Sequence, residues 1–291
     1  KKMKWPKKPK FIFTSNNFDT DEYFKAYTAL SVEKGSKYFV GQHGSTYGTH
    51  KYEYLTIEEI TSTKFFTWGW NDNQKLHYTG FSFFNLRKKI RRNKNANKLV
   101  LIKKNLGTNV EFYDLSNDFS KYWNDQYNFI LTLNHQIKKN IFIRLFNHTY
   151  WQEKERYKDF DKSLLINCKT DYPPIKIDKI LSNSKLCVVT FDTTTMYELL
   201  INDIPFICYW DNPLKQIRNN AVPYYEKLLE ANILFDCPYS AAKHINKIWH
   251  NIEIWWNSND VIEAKNQFKS KFIKNSNNPI KDLKKFLLYN Y

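Results

Sequence analysis

Short apolar runs alternate with helical stretches along most of this chain, and no other feature limits its fold as strongly. "KFIFTSN" (10–16) reads as a strand that ends in turn formers. "NFDTDEYFKAYTALSVEKG" follows as a helix, with acids at its start and Gly35 at its end. "SKYFVGQHG" is a second strand running into a glycine-containing loop, and "IEEITSTKFFTWGW" a short helix and then a strand ending near Trp70. "KLHYTGFSF" is a further short strand. Strand–helix–strand alternation of this kind predicts a parallel α/β sheet.

The pattern pauses at "FNLRKKIRRNKNANK", a basic stretch whose residues 84–97 read as a linker, and then restarts. "KLVLIKK" (98–104) and "IFIRLF" (141–146) are strands flanking one long amphipathic helix capped by Ser116 or Asn117. "WQEKERYKDF" reads as a helix, "SLLIN" as a weak strand and "IKIDKILSNSK" as a short helix. "LCVVTF" (186–191) is apolar without alternation, the mark of a strand buried on both faces. The helix "TTTMYELLIND" and the strand "IPFICYW" (204–210) come next, then helices near 222–232, 239–256, 260–274 and 279–290. Two parallel α/β domains follow from this reading, one at 1–83 and one at 98–275, with a C-terminal helix at 276–291. The first gathers too few residues for a full doubly wound domain. With Lys1 rather than Met at the start, the chain reads as the C-terminal part of a longer protein.

The formal net charge is +16. It fits either an anionic partner (nucleic acid, anionic lipid or a nucleotide) or a coding bias that enriches Lys, Asn, Ile, Phe and Tyr together. No apolar run approaches the length of a membrane span. The basic opening "KKMKWPKKPK" has no apolar h-region behind it. Cys168, Cys187, Cys208 and Cys237 are widely spaced, and three lie in or beside apolar runs. They read as free thiols of a reducing compartment, so the expected location is cytoplasmic, at most against the inner membrane face. Aromatic residues make up 18% of the chain, but they fall at core spacing, and no nucleic-acid recognition motif accompanies them.

Ligands of open parallel sheets bind beyond the carboxyl ends of the strands, and four stretches lie at such places. In "VVTFDTTTMYELL", Thr193, Thr194 and Thr195 open a helix, where free N–H groups and the dipole favour a phosphate; Glu198, one turn on, is within reach of a ribose hydroxyl. The competing explanation is capping by Asp192 or a threonine, with a Thr195–Glu198 capping box. In "IFIRLFNHTYW", Arg144 and His148 sit at a strand end and suit phosphate or carboxylate; the alternative is a strand-edge arginine reaching solvent and a loop histidine. In "KYFVGQHGSTYG", three of the chain's seven glycines surround His43, a candidate general base, with Gln42, Gly44 and Tyr47 as loop contacts to an acceptor; a tight turn that happens to hold a histidine is the plainer account. "DTD" at Asp19–Asp21 has the look of a metal-binding Asp-x-Asp, but its place at a helix start favours ordinary N-terminal acids. No metal ligand set and no cofactor is expected.

"FVGQHGSTYG", "FFTWGW", "RLFNHTYW" and "VVTFDTTTMYELLINDIPFICYW" together resemble a family of transferases from bacterial O-antigen and surface-carbohydrate gene clusters. The resemblance covers roughly residues 10–260. The threonine-rich turn, Glu198 and "IPFI" also resemble the donor half of GT-B glycosyltransferases, with Asp203 where many such chains have glycine. The resemblance implies two Rossmann-like domains facing a cleft, the N-terminal one incomplete. His43 would come from the acceptor side, and Arg144, His148, Thr193, Thr194, Thr195 and Glu198 from the donor side. The final helices would pack back toward the first domain. It implies a metal-independent glycosyltransferase with a nucleotide-sugar donor, such as a CMP-linked nonulosonic acid, and a glycan or lipid-linked acceptor. Two rivals stand: a polyol-phosphate transferase on the same fold, and a basic nucleic-acid-binding protein.

Overall fold

The computed structural model describes residues 4–79, 89–103, 119–144, 169–170, 175–274 and 276–290. The chain divides into two compact units, one of Lys1–Arg87 with Lys269–Tyr291, the other of Lys88–Phe268. Each is built on a wholly parallel sheet, the α/β layout of a GT-B-like fold.

The first unit holds β1 (Phe11–Thr14), β2 (Lys37–Gly41), β3 (Lys64–Phe66) and β4 (His77–Tyr78), in spatial order β1-β2-β3-β4. The edge strand β1 alternates, with Ile12 and Thr14 buried and Phe11 and Phe13 exposed. β2 is buried from Tyr38 onward. The helix Glu22–Glu33 starts on Asp21, whose carboxylate accepts the Phe24 N–H at 3.0 Å. It stops at Gly35, φ +95°, where Ser36 N–H donates to Ser31 O at 3.0 Å and Gly35 N–H to Val32 O at 2.9 Å. That paired closure needs a left-handed residue, which glycine adopts without cost. The helix Pro279–Asn290 belongs to this unit: Phe286 packs on Phe39, Phe66 and Tyr78, its ring centre 4.1 Å from that of Tyr78. The C-terminal helix is therefore no separate piece.

The second unit holds β5 (Lys98–Ile102), β6 (Ile141–Arg144), β7 (Lys169–Thr170), β8 (Ser184–Val189), β9 (Phe206–Tyr209) and β10 (Leu234–Phe235), in spatial order β10-β9-β8-β5-β6-β7. Counted from β5 this is 3-2-1-4-5-6, the doubly wound order, and it reverses between β5 and β8. Those strands are buried on both faces. The helices Phe119–Thr132 and Pro238–Ile248 cover one face through Phe129, Ile130, Ala241 and Ile245. Cys187 and Cys208 are fully buried free thiols of this core, and Cys187 is pushed up to about 12 by burial. Cys168 lies outside the described residues.

Several boundaries differ from the sequence reading. The long helix breaks after Thr132 and resumes at His135–Lys138, because Asn246 of the neighbouring helix takes both freed groups, accepting from Asn134 N–H at 2.8 Å and donating to Thr132 O at 3.0 Å. Its caps at Ser116 or Asn117 lie outside the described residues, as do "WQEKERYKDF" and "SLLIN". The helix expected over 239–256 is two, Pro238–Ile248 and Ile252–Trp256. β3 ends at Phe66, well short of Trp70. β10 and β7 were not anticipated; each is two residues long, too short for periodicity to register. The described part of the basic stretch is strapped to the second unit: Ile90 N–H donates to Asn202 Oδ1 at 2.7 Å, Asn93 N–H to Ser182 O at 2.7 Å, and Arg92 pairs with Glu253.

Asp203 explains its departure from glycine. It has φ +50°, a conformation glycine takes most easily and aspartate tolerates. Its carboxylate accepts from Trp256 Nε1 at 2.9 Å and from the buried Lys265 Nζ at 3.0 Å. Asp203→Gly is expected to relax the backbone yet lower stability by about 2 kcal/mol. That is below the usual cost of breaking a buried pair, because the Asp203 side chain is 60% exposed. Urea unfolding measures the loss, and Asp203→Asn should recover part of it.

Candidate functional site

Two clusters arise at carboxyl ends of strands, one in each unit. In the first, β2 runs out at Gly41 and the chain enters the loop before the helix Ile57–Thr61. Gln42 is buried at the loop's root. Its Oε1 accepts from Trp68 N–H and from Trp70 Nε1, both at 2.8 Å, and its Nε2 donates to Gly44 O at 2.8 Å. These bonds make Gln42 an anchor beneath the loop rather than a contact on its open side. Gly48 is explained by the same anchor. At φ +77° it faces the Trp70 ring so closely that a Cβ there would lie 2.3 Å from Cδ2. The glycine that looked like room for a ligand is room for Trp70. Gly44 has only ordinary neighbours, Thr46 and Tyr47.

His43 follows Gln42 and is exposed, with Phe18 on one side (ring centres 5.7 Å) and Tyr47 on another (5.3 Å). The Tyr47 hydroxyl is 3.4 Å from His43 Nδ1 and donates to the Glu58 carboxylate. Desolvation lowers the His43 pKa from its ordinary value, against the opposing fields of Glu58 and Asp19. A histidine so placed is neutral near neutral pH and able to take a proton. Tyr47 is 4% exposed, so it supports the histidine from inside and does not line the loop's outer face. Burial and the Glu58 hydrogen bond push its pKa upward, which keeps it a phenol. Of the "DTD" acids, Asp21 is the helix cap described above. Among the described residues, no group of three or more His, Cys, Asp or Glu side chains is gathered to hold a metal.

In the second unit, β8 ends at Val189 and the helix Thr194–Ile201 begins four residues later, beside the point where the strand order reverses. Thr193 occupies the N-cap position but makes no side-chain cap hydrogen bond. Asp192 is engaged by the Tyr225 hydroxyl. The Thr193 hydroxyl is thus not spent on capping. Thr193, Thr194, Thr195 and Glu198 are all half-buried. Arg144 closes β6 in the same row: Ile102 of β5 pairs with both Arg144 and Val189. At the usual strand spacing that separates the Arg144 and Val189 backbones by roughly 10 Å. Arg144 Nη1 also donates to Ile175 O at 3.3 Å. His148 lies outside the described residues.

Between them is a residue the sequence reading left inside a strand. Lys103 follows β5 directly, is 2% exposed, and holds Nζ 4.8 Å from the centre of the Trp123 ring. Beside it, the hydroxyls of Tyr122 and Thr190 are 2.7 Å apart. A lysine directly after the apolar run Leu99–Ile102 was the available signal. Without the strand order, nothing placed it at the reversal point.

A family model described as "LIC12162 family transferase" matches residues 1–287. No curated protein matches the chain in sequence. Among solved structures, TarM is similar over 97% of this chain and 54% of its own, at 12% identity and a TM-score of 0.51. The chain thus spans about half the length of TarM. The wall teichoic acid polymerase TagF is similar over 88% of this chain and 68% of its own, at 11% identity and a TM-score of 0.46.

Proposed function

Because the chain belongs to the LIC12162 family of transferases, we propose that it moves a sugar from a nucleotide-activated donor to a hydroxyl of a surface-polysaccharide or O-antigen acceptor. The observation that carries this reading is the threonine-lined helix start at the reversal point of the second sheet, whose N-cap residue Thr193 makes no side-chain cap hydrogen bond. Thr193, Thr194 and Thr195 offer hydroxyls and N–H groups to the donor phosphate, with Arg144 supplying positive charge from the same strand edge. Glu198 is assigned to a ribose hydroxyl. A CMP-linked nonulosonic acid is the donor that the family resemblance suggests.

In the reaction, His43 Nε2 takes the proton of the acceptor hydroxyl. The acceptor oxygen forms its bond to the anomeric carbon as the bond from that carbon to the phosphate oxygen breaks. The electron pair leaves with the phosphate, whose charge is met by the threonine turn and Arg144. This donor set, rather than a resident metal, is proposed to carry the leaving-group charge. The net charge of +16 suits an acceptor held at an anionic membrane face. Among the described residues no helix is long and apolar enough to cross a membrane.

A thermal-shift series with CMP, CDP, UDP, GDP and dTDP tests the donor site. A nucleotide present at 100 times its Kd should stabilise the folded chain by about 2.7 kcal/mol, and Thr194→Ala should abolish that shift. No response to any of the five counts against the reading. The mass of the transferred group then separates the rivals: a sugar adds no phosphorus, a polyol phosphate does.

A further inference from the structure

We propose that Tyr47 and Glu58 are a positioning pair that holds His43 with its proton on Nδ1, so that Nε2 is the nitrogen presented to substrate. This deepens the reading above and rests on it. The Tyr47 hydroxyl has one hydrogen, and it is committed to the Glu58 carboxylate. Toward His43 Nδ1, 3.4 Å away, the phenol oxygen offers only lone pairs. A neutral imidazole carries one N–H. If Nδ1 lacked it, two lone pairs would face each other, so the proton sits on Nδ1 and the free pair on Nε2. The support is rigid: Tyr47 is buried, its ring centre 5.4 Å from that of Phe65, and Glu58 stands in the first turn of the helix Ile57–Thr61.

The groups facing this cluster come from each element around it. Phe18 and Asp19 come from the helix Asn17–Thr20, Tyr47 and Glu53 from the loop, and Glu58 and Glu59 from the helix beyond. Asp19 and Glu58 favour the imidazolium that forms when Nε2 takes a proton. Glu58 also reaches it through the phenol, so the tyrosine proton need not move. Thr46 Oγ1 donates to Glu53 at 2.6 Å, a bond within the loop, so Tyr47 also fastens loop to helix, and the imidazole tautomer is the readout that fastening alone would not move.

Imidazole nitrogen NMR on the full chain tests the proposal, with the His43 signals assigned by His43→Gln. Above neutral pH the wild type should show His43 protonated on Nδ1. Tyr47→Phe removes one oxygen and keeps the ring; it should move the proton to Nε2, the preference of a free imidazole side chain. Glu58→Gln should give a mixture and lower the His43 pKa, carrying the acid limb of the transfer rate to lower pH. Wild-type His43 protonated on Nε2, or a tautomer unchanged in both Tyr47→Phe and Glu58→Gln, overturns the pair. If His43→Gln abolishes transfer while Tyr47→Phe leaves the tautomer and pH profile alone, the base stands and the pair falls. If His43→Gln transfers normally while the tautomer shifts as described, the base reading falls and the pair is only a local arrangement.

Discussion

His43→Ala is expected to lower the transfer rate by about 10²–10⁴-fold, the usual contribution of a positioned general base, with the fold of the first unit intact. The histidine is exposed and makes ring contacts only with Phe18 and Tyr47 among its described aromatic neighbours, so its loss removes little packing. The pH dependence gives the sign. A base must be neutral to work, and desolvation moves the His43 pKa below its ordinary 6.5. The neutral fraction is therefore already dominant at pH 7. The wild-type rate should be flat from there upward and fall with unit slope as pH drops through a value below 6.5. In His43→Ala that acid limb should vanish along with the rate. A variant that keeps both the rate and the limb would show that another group moves the proton.

The sheets were legible because parallel strands buried on both faces leave continuous apolar runs; β5, β8 and β9 were all located this way. What escaped notice lacked any local signal. The break after Thr132 depends on Asn246, more than a hundred residues away in sequence, and the place of Lys103 at the reversal point depends on strand order. At the candidate site, sequence singled out the loop but not which of its residues face inward. The glycine density around His43 pointed to a ligand, whereas Gly48 answers to Trp70. Gln42 and Tyr47 stand beside His43 in sequence but point inward. Exposure and partner, not proximity along the chain, separate a contact residue from a supporting one. The glycine replaced at Asp203 looked like a flaw in the match; the structure shows the required φ kept and the carboxylate put to use.

Gln42→Leu should be among the most damaging changes available in the first unit. Leucine preserves the bulk, so no large cavity opens, yet two donors lose their acceptor at once: the Trp68 N–H and the Trp70 indole N–H, on residues 1% and 2% exposed. A buried donor left unsatisfied costs about 1–3 kcal/mol, so the pair together should cost about 3–5 kcal/mol. Urea unfolding followed through the near-UV signal of these tryptophans should show a lower midpoint with an unchanged slope. Gln42→Glu keeps an oxygen for both donors but buries a carboxylate against Gly44 O, so it should destabilise as well. The same bond links stability to chemistry. Gly44 O is held at 2.8 Å from Gln42 Nε2, one residue past His43, and Trp70, gripped by Gln42, is the wall against which Gly48 turns. Freed at both points, the loop no longer holds His43 over Tyr47. Gln42→Leu should then reduce transfer at temperatures where the protein is still folded, although its side chain meets no substrate. A Gln42→Leu protein with wild-type stability would mean that the clamp contributes nothing, and with it would go the physical reason for this loop's sequence.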